Sequence, residues 1–407
     1  MALQFLANSN GWLSFNHSTP RLYIMAEDDD FDAETLRAWK EEGFDVKYLP
    51  LGQQSGKAYR KRLEHLGDSM SIGERYAIVA FGDAAAICLD VYSEPSATTS
   101  KLCSLIAYYP TSIPDPKQRL SASYRVLVHL AGGTNASEAN TIGVTRRPEV
   151  LGIQGKRRTV QKRITPGIGT GGLQSKIEYP TYTYEGVDAG FAEHDLDEYD
   201  AVADALAWSR SLSMVRRGFG AEVDLERVWE ENVEHKFHAR NASQLLETFT
   251  SEPKPFVNYT PTMTGGVGIE ELKRFYTEFF LVNSPPNFHM RLVSRTIGVD
   301  RIVDELYIQF KHTVPMPWIL PGITPTNHKV EIVVVSIVGM RGGKIWHERM
   351  YWDQASVLFQ VGLLDPDDVP EKYKKDGLEM LPIAGSEAAR KIMDVESEDT
   401  NDMIDEW

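Results

Sequence analysis

The chain carries the stretch Tyr76-Ala77-Ile78-Val79-Ala80-Phe81-Gly82-Asp83-Ala84-Ala85-Ala86, an apolar run that ends in a sharp turn of small residues, and this stretch decides the fold of its first half. The pattern is typical of a nucleophile elbow, in which a Ser or Cys lies at a strand-to-helix turn. Gly82 occupies the tip, and neither Ser nor Cys occurs from Tyr76 to Ile87. Because an elbow without a nucleophile cannot form an acyl-enzyme, any chemistry must be sought elsewhere.

Strands and helices alternate on both sides of this turn. The sequence predicts strands at residues 21–26, 44–49, 76–81, 102–108, 126–130 and 176–182, and helices at 32–42, 57–66, 84–92 and 198–217. Repeated β-α units imply a mainly parallel sheet covered by helices on both faces, so we expect a three-layer α/β domain over residues 1–220. Residues 146–172, rich in Gly, Lys and Arg, break the pattern and are interpreted as a solvated insertion.

Composition limits the classes of function. The chain has 407 residues, a net charge of -15, 42% hydrophobic and 25% charged residues, which is ordinary for a soluble protein. The negative charge argues against nucleic acid or an anionic membrane as a partner. Cys88 and Cys103 lie in apolar runs and indicate buried thiols of a reducing compartment. Neither a signal peptide nor a membrane span is indicated, so a cytoplasmic location is expected.

The composition changes after Gly218-Phe219-Gly220, where we place a domain boundary. Helices are predicted at residues 224–240, 241–250 and 354–363, and strands long enough for an antiparallel sheet at 301–312, 330–340 and 345–352. Gly342-Gly343 predicts a hairpin between the last two strands. We therefore expect an α+β domain over residues 221–368 and an acidic tail over 369–407, whose last fourteen residues favour disorder.

Alternation along the strand at residues 301–312 indicates a first pair of candidate catalytic residues, Asp304 and His312. Ile302, Asp304, Leu306, Ile308, Phe310 and His312 share one face, because side chains alternate in a strand. That face is apolar apart from Asp304 and His312. A buried carboxylate is costly unless it is paired or functional, so the two residues are candidates for catalysis.

The strand at residues 345–353 nominates a second set, but alternation does not decide which of its faces is buried. One face carries His347, Tyr351 and Asp353, and the other carries Trp346, Glu348, Met350 and Trp352. Residues 259–266 and 318–322 are candidate rim segments of a pocket. Trp318, between two prolines, is either a gate or part of a rigid turn.

The first half resembles the dienelactone hydrolase branch of the α/β-hydrolases over about residues 20 to 220. The matching stretches are Ile78 to Ala85, Val126-Leu127-Val128-His129-Leu130-Ala131-Gly132, Ala189-Gly190-Phe191 and Ala205 to Arg210. The resemblance implies a triad that this chain has lost: Gly82 stands for the nucleophile, Thr134 or Asn135 for the acid, and Ala189 for the histidine. His194 is interpreted as a surface residue and His129 as a satisfied core histidine. A pseudo-hydrolase domain is the expectation.

The second half resembles the SnoaL-like polyketide cyclases, within the cone-shaped superfamily of nuclear transport factor 2, over about residues 255 to 366. The best matches are Gly342 to Asp353, Val357 to Leu364 and Pro325 to Glu331. The resemblance implies a curved antiparallel sheet, a general base at Asp353 without metal or cofactor, and His312 or His347 polarising a carbonyl oxygen. It also implies a homodimer through the cone and a pocket lined by Tyr276, Phe310, Trp318, Tyr351 and Trp352.

Three hypotheses remain open from the sequence. The first is a cofactor-free enzyme that cyclises, isomerises or dehydrates a small carbonyl or polyketide-like compound in the second half. The second is a non-catalytic ligand-binding or dimerisation protein. The third is residual ester or lactone hydrolysis in the first half. A metal site is not expected, because His347 and Glu348 are adjacent in a strand and point to opposite faces.

Overall fold

The computed structural model describes residues 19–53, 56–93, 101–118, 120, 123–132, 172–173 and 177–404. The chain divides into two compact units, Met1–Val223 and Asp224–Trp407, here called unit 1 and unit 2. The predicted insertion lies outside the described residues except for Gly172. Thr134 and Asn135, the positions at which the resemblance places the acid of the triad, also lie outside them.

Unit 1 is built on a seven-stranded sheet in the order β2-β1-β3-β4-β5-β7-β6. Its strands are β1 (Arg21–Met25), β2 (Asp45–Tyr48), β3 (Tyr76–Phe81), β4 (Leu102–Tyr108), β5 (Arg125–Ala131), β6 (Gly172–Leu173) and β7 (Thr181–Tyr184). Six strands are parallel, and only β6 runs antiparallel to its neighbour. The mainly parallel sheet predicted from the β-α repeats is confirmed.

Two of the four helices described in unit 1 begin at a side chain that accepts backbone N–H groups. The four helices are α1 (Ala33–Glu41), α2 (Gly56–Glu64), α3 (Gly82–Ser93) and α4 (Ala201–Phe219). Asp32 caps α1 and Asp200 caps α4, because each carboxylate accepts two N–H groups of the first turn. Every residue of β3 is buried, which is typical of parallel strands.

Unit 2 contains a six-stranded sheet in the order β10-β11-β12-β13-β8-β9. Its strands are β8 (Phe256–Tyr259), β9 (Thr264–Val267), β10 (His289–Ile297), β11 (Arg301–Lys311), β12 (Lys329–Arg341) and β13 (Lys344–Tyr351). Gly342 and Gly343, both at positive φ, form the predicted hairpin turn between β12 and β13. The expectation of an antiparallel sheet is confirmed in part: four strand pairs are antiparallel, but β8 pairs with β13 in parallel, so the sheet is mixed. Strands β8 and β9 have four residues each, which is too short for a sequence pattern to identify.

Two helices of unit 2 continue as π-helical segments. Helix α5 (Leu225–Val233) runs into the segment Glu234–His238, and α7 (Ile269–Arg274) runs into Phe275–Phe280. The remaining helices are α6 (Ala242–Glu247), α8 (Gln354–Gln360), α9 (Glu371–Lys375) and α10 (Ser386–Met393). Helix α10 lies within the part predicted as an acidic tail and packs against β12, burying Ala389.

Strand register defines which side chains share a face of this sheet. Asp304 lies opposite Ser336, Ser336 opposite Met350, and Met350 opposite Tyr259. Glu348, two residues before Met350, therefore points to the same side. The π-helical segments and α5 contact this side through Trp229, Lys236 and Tyr276, and we call it the helix-covered face.

Candidate active site

A buried ion pair lies at the centre of the helix-covered face. Glu348 on β13 is 1% exposed, and its Oε2 atom accepts a hydrogen bond from Lys236 Nζ at 2.5 Å. The Lys236 side chain is completely shielded from solvent. The hydroxyl group of Tyr276 lies 3.5 Å from the same oxygen. We call Lys236, Glu348, Tyr276 and the neighbouring Tyr259 the Lys236–Glu348 cluster.

The two π-helical segments deliver the partners of Glu348. Lys236 belongs to the segment Glu234–His238, and Tyr276 belongs to Phe275–Phe280. A π-helical turn inserts one extra residue into each turn and so redirects the side chains that follow. Such turns are rare and occur frequently at functional sites. Both π-helical segments therefore place a polar side chain next to Glu348.

Aromatic rings surround the ion pair. Lys236 Nζ lies 5.0 Å from the centre of the Trp229 ring and 5.7 Å from that of Tyr276, within the range of cation–π attraction. Beyond them the rings pack against one another, and all are at most 9% exposed: Phe249, Tyr259, Phe275, Phe280, Trp318 and Trp352. We call this group the aromatic cluster. Its low polarity strengthens every electrostatic interaction inside it.

Burial sets the protonation preferences of the cluster. Removal from water lowers the pKa of Lys236, and the charge and hydrogen bond of Glu348 oppose this effect. Burial, together with the nearby charge of Glu348, raises the pKa values of Tyr259 and Tyr276 well above their usual range. Both tyrosines are therefore protonated near neutral pH and can donate hydrogen bonds to an oxygen that develops negative charge.

Three buried polar atoms of the two clusters have no hydrogen-bond partner among the described residues. They are Oε1 of Glu348, the hydroxyl oxygen of Tyr259 and Nε1 of Trp318. Buried polar groups are nearly always paired, because desolvation without a partner is costly. The carboxylate oxygen is an acceptor, the indole N–H group is a donor, and the hydroxyl group can be either. The site can therefore offer a carboxylate oxygen and an N–H group to a small polar molecule.

The predicted residue Asp304 has partners that explain its burial. Both of its oxygens accept hydrogen bonds from Arg295, at 2.7 and 2.8 Å, and Oδ2 also accepts one from Trp229 Nε1 at 2.7 Å. This bidentate pairing holds β10, β11 and α5 together. Asp304 shares the helix-covered face with Glu348, but its carboxylate is fully engaged by protein donors.

The predicted residue His312 lies at the far end of β11 from Asp304. The eight-residue separation along a strand corresponds to about 26 Å at ~3.3 Å per residue. His312 is buried, burial lowers its pKa, and its Nδ1 atom lies 3.2 Å from Thr326 Oγ1. The structure therefore does not bring Asp304 and His312 together as a pair.

His347 and Tyr351 lie on the opposite face of the sheet from Glu348. His347 stacks on Phe256 with 5.3 Å between ring centres, and burial, reinforced by Arg349, lowers its pKa to about 3. Tyr351 is 39% exposed. Asp353 follows the strand, is exposed, and caps α8 by accepting the Ala355 N–H at 2.9 Å. These three residues are not placed near the Lys236–Glu348 cluster.

The predicted rim segments contact one another. Thr262 and Thr264 donate hydrogen bonds from their hydroxyl groups to the Trp318 carbonyl at 2.9 and 3.0 Å. Gln354 donates to the Ile319 carbonyl at 3.0 Å. The predicted pocket residues Trp318, Trp352 and Tyr276 belong to the aromatic region described above. Phe310 is also buried, and it packs on Phe288.

A separate surface groove of about 560 Å³ lies where α10 covers the sheet. Its lining is mostly apolar and includes Met290, Tyr307 and Met393. Within the described residues, no group of three or more His, Cys, Asp or Glu side chains is arranged to hold a metal ion. The helices among those residues include none that is both long and apolar enough to cross a bilayer.

The elbow of unit 1 is occupied by a carboxylate. A Cβ atom built on Gly82, whose φ is +53°, would lie 1.9 Å from Glu27 Oε1. Glu27 accepts the N–H of Asp83, the residue after the tip, and burial raises the pKa of Glu27 to about 7. Glu27 therefore fills the space in which a nucleophile side chain would begin.

The two histidines of unit 1 have structural partners. His129 is fully buried, with Tyr184 and Ser211 hydroxyl groups at 2.9 Å from its two ring nitrogens, which confirms its interpretation as a satisfied core residue. The interpretation of His194 as a surface residue is wrong: its Nδ1 lies 2.7 Å from Asp32 Oδ2, and it is only partly exposed. The sequence places acidic residues around His194 but does not show that Asp32 reaches it.

Comparison with known proteins finds similarity to solved structures over only about a third of this chain and at low sequence identity. No family model matches the chain, and no curated protein matches it. Among solved structures, a proposed SnoaL-like polyketide cyclase from a Jannaschia species is 17% identical, covering 35% of this chain and 98% of its own, with a TM-score of 0.28. A protein with a ketosteroid isomerase-like fold from Catenulispora acidiphila is 16% identical, covering 36% and 98%, with a TM-score of 0.27.

A protein from Burkholderia pseudomallei described as NTF2-like and of unknown function is 13% identical, covering 34% of this chain and 97% of its own, with a TM-score of 0.26. Each of these structures thus resembles only about a third of the chain. The identities are too low to transfer a role to any residue. Nothing in these comparisons supports the resemblance of the first half to the dienelactone hydrolases.

Proposed function

We propose that unit 2 is a cofactor-independent general acid–base enzyme that acts on a small carbonyl or polyketide-like compound by cyclisation, isomerisation or dehydration. The observation that carries the proposal is the buried Glu348 carboxylate, whose Oε1 atom has no hydrogen-bond partner among the described residues. A desolvated carboxylate beside protonated hydroxyl groups suits the removal of an acidic carbon-bound proton.

Each member of the cluster has a role in this reaction. Glu348 Oε1 takes the proton from the carbon next to the carbonyl group. Tyr259 and Tyr276 donate hydrogen bonds to the oxygen on which negative charge develops, in surroundings of low polarity. Lys236 compensates the charge of Glu348 within the aromatic cluster. Return of the proton to a different atom gives isomerisation, and attack of the enolate on a second carbonyl gives cyclisation.

Substrate entry requires a segment to move, because every member of the cluster is buried. We propose the Trp318 segment as the gate. Among the described residues, the side-chain hydrogen bonds to this segment are those from the Thr262 and Thr264 hydroxyl groups to the Trp318 carbonyl and from Gln354 to the Ile319 carbonyl, and water can replace donors of this kind at modest net cost. Unit 1 is proposed to be a pseudo-hydrolase that supports stability or ligand capture, since Gly82 and Ala189 supply neither nucleophile nor base.

A non-catalytic ligand-binding role is the second candidate, and one observation favours it. Lys236 and Glu348 satisfy each other at 2.5 Å, so the pair could serve only to orient the surrounding helices. Binding without chemistry predicts that a carbonyl compound associates with the protein but exchanges no carbon-bound protons.

The test is exchange of carbon-bound protons for deuterium in a panel of cyclic and acyclic ketones and 1,3-diketones, followed by mass spectrometry with the full chain. We expect exchange by the wild type and a loss of about two orders of magnitude or more in Glu348→Gln. If that variant does not fold, Lys236→Met/Glu348→Gln removes both charges together. Asp353→Asn is the matched control and should exchange like the wild type.

Either of two results would contradict the proposal. Exchange at the wild-type rate in a folded Glu348 variant would remove Glu348 from the site. Binding of ketones by the wild type without any exchange would favour the ligand-binding role.

A further inference from the structure

We propose that Lys236 is a nucleophile and forms an imine with an aldehyde or ketone group of the substrate, an inference that rests on the function proposed above. It narrows the substrate class to compounds with a free aldehyde or ketone. Esters and carboxylates do not form stable imines, so they are excluded as reacting groups.

The surroundings of Lys236 Nζ are those that a lysine nucleophile requires. Its side chain is completely shielded, and Trp229 and Tyr276 lie over the nitrogen. Desolvation favours the neutral amine, which is the nucleophilic form, and burial lowers the pKa of Lys236 accordingly.

Glu348 is placed to carry protons for the same reaction. Its Oε2 atom lies 2.5 Å from Nζ, so a proton can pass between the two groups without movement of the backbone. Its Oε1 atom is buried and lacks a partner among the described residues. One carboxylate can thus serve the nitrogen through one oxygen and the substrate carbon through the other.

The chemical step balances with these two groups alone. Lys236 passes one proton to Glu348, and the free electron pair of Nζ forms the C–N bond while the carbonyl π electrons move to oxygen. Glu348 protonates that oxygen, accepts a second proton from Nζ, and returns it to the hydroxyl group, which leaves as water. The ammonium and carbonyl compound become a protonated imine and water, and total charge is unchanged.

The protonated imine gives the Oε1 atom of Glu348 a role as a proton acceptor. A positively charged imine withdraws electrons from the adjacent carbon and makes its protons more acidic than those of the parent ketone. Glu348 Oε1 can then accept such a proton and leave a neutral enamine on Lys236. Apolar residues of similar volume often replace a buried pair without loss of stability, so stability alone does not require this ion pair.

The experiment uses the folded full chain and 2,4-pentanedione, a diketone that forms a stable conjugated enaminone with neutral amines. We expect a single adduct on Lys236 at neutral pH, found by peptide mass spectrometry together with a new near-ultraviolet absorbance. The exposed Lys344 lacks the buried aromatic surroundings of Lys236, so it should remain unmodified during a short exposure. Lys236→Arg keeps the positive charge and cannot form the enaminone, and it serves as the control because condensation of a guanidinium group with the diketone gives a pyrimidine, which has a different mass.

The possible outcomes distinguish the imine on Lys236 from general base catalysis by Glu348. An adduct on Lys236 that is absent from Lys236→Arg supports the imine. No adduct on Lys236, with ketone proton exchange intact, overturns the imine and leaves general base catalysis by Glu348. Neither adduct nor exchange overturns both, and an adduct without exchange supports the nucleophile but contradicts the proton transfer. Mapping of the wild-type adduct requires no variant to fold.

Discussion

Lys236 Nζ lies 2.5 Å from Glu348 Oε2, and neither side chain is more than 1% exposed. A charge of either sign placed alone at this depth would be expensive, so each group is tolerated because of the other. The pair joins the π-helical segment Glu234–His238 to strand β13. The ion pair should therefore affect both the stability of unit 2 and the reactivity of Lys236, and each can be measured separately.

Removal of one partner should destabilise unit 2 more than removal of both. Lys236→Met leaves a buried carboxylate and should lower the free energy of unfolding by about 3–5 kcal/mol. Lys236→Met/Glu348→Leu leaves no charge and should lie much nearer the wild type. Chemical denaturation with tryptophan fluorescence measures both. Equal stability losses in the single and double variants would show that the charges do not depend on each other.

Asp353 should behave as a helix cap. Its carboxylate accepts the Ala355 N–H at 2.9 Å and is exposed. Asn caps about as well as Asp, so Asp353→Asn should keep the wild-type stability, whereas Asp353→Ala should lose about 0.5–2 kcal/mol. Thermal unfolding compares the two variants. The resemblance to the cyclases implies a base at this position, and a large loss of ketone proton exchange in a folded Asp353→Asn would support that role instead.

A side chain at the elbow of unit 1 should collide with Glu27. Gly82→Ala places a Cβ atom 1.9 Å from Glu27 Oε1 and also imposes the strain of a positive φ, about 1–2 kcal/mol. Gly73→Ala has the strain alone, because its Cβ would meet nothing within 4 Å. We expect Gly82→Ala to be the less stable variant in denaturant unfolding. Adding Glu27→Ala should recover the difference, and failure to do so would rule out the collision.

The His194–Asp32 pair should make the stability of unit 1 depend on pH. Burial opposes protonation of His194, but the Asp32 hydrogen bond and the charges of Asp204, Asp32 and Glu34 outweigh it and raise its pKa above 6.5. Burial opposes ionisation of Asp32, but hydrogen bonds from His194 and Thr35 lower its pKa below 3.8. The stabilising contribution is therefore present between about pH 3.8 and 6.5.

That contribution should disappear as the pH rises through the raised pKa of His194, and it should also decrease as the pH falls through the lowered pKa of Asp32. The measurement is the unfolding temperature of the wild type and of His194→Gln between pH 5 and 9. His65→Gln, at an exposed ion pair with Asp68, is the matched control and should show little difference at any pH. A constant difference between wild type and His194→Gln would contradict the prediction.

Unit 2 should fold alone and form a homodimer through its sheet. It has its own sheet and helices, and it forms one compact unit from Asp224. The face of the sheet opposite the helix-covered face is partly covered by α10 and leaves Val333, Val335 and Ile337 partly exposed, which is apolar surface suited to a second copy. Circular dichroism tests folding of the fragment 224–407, and sedimentation tests its mass. An unfolded fragment or a folded monomer would contradict the corresponding part.

Local pattern was sufficient for strands β1 to β5 and β11 to β13. The predicted strand at residues 76–81 and that at 102–108 have the bounds of β3 and β4, because fully apolar runs between turn residues leave little choice of structure. The strands β8 to β10 were missed. Strands β8 and β9 have only four residues each, and β10 is mostly exposed, so none of them shows the longer alternating pattern by which a half-buried strand is recognised.

The sequence alone determined that β13 has two alternating faces, one with His347 and Tyr351 and one with Glu348, Met350 and Trp352. It could not decide which face is covered, since both carry aromatic residues. Tertiary structure decided this, because the π-helical segments bring Lys236 and Tyr276, distant in the chain, onto Glu348. The alternation of side chains between two faces follows from the local geometry of the strand. The contact that stabilises a buried charge such as Glu348 forms only when distant segments of the chain pack together.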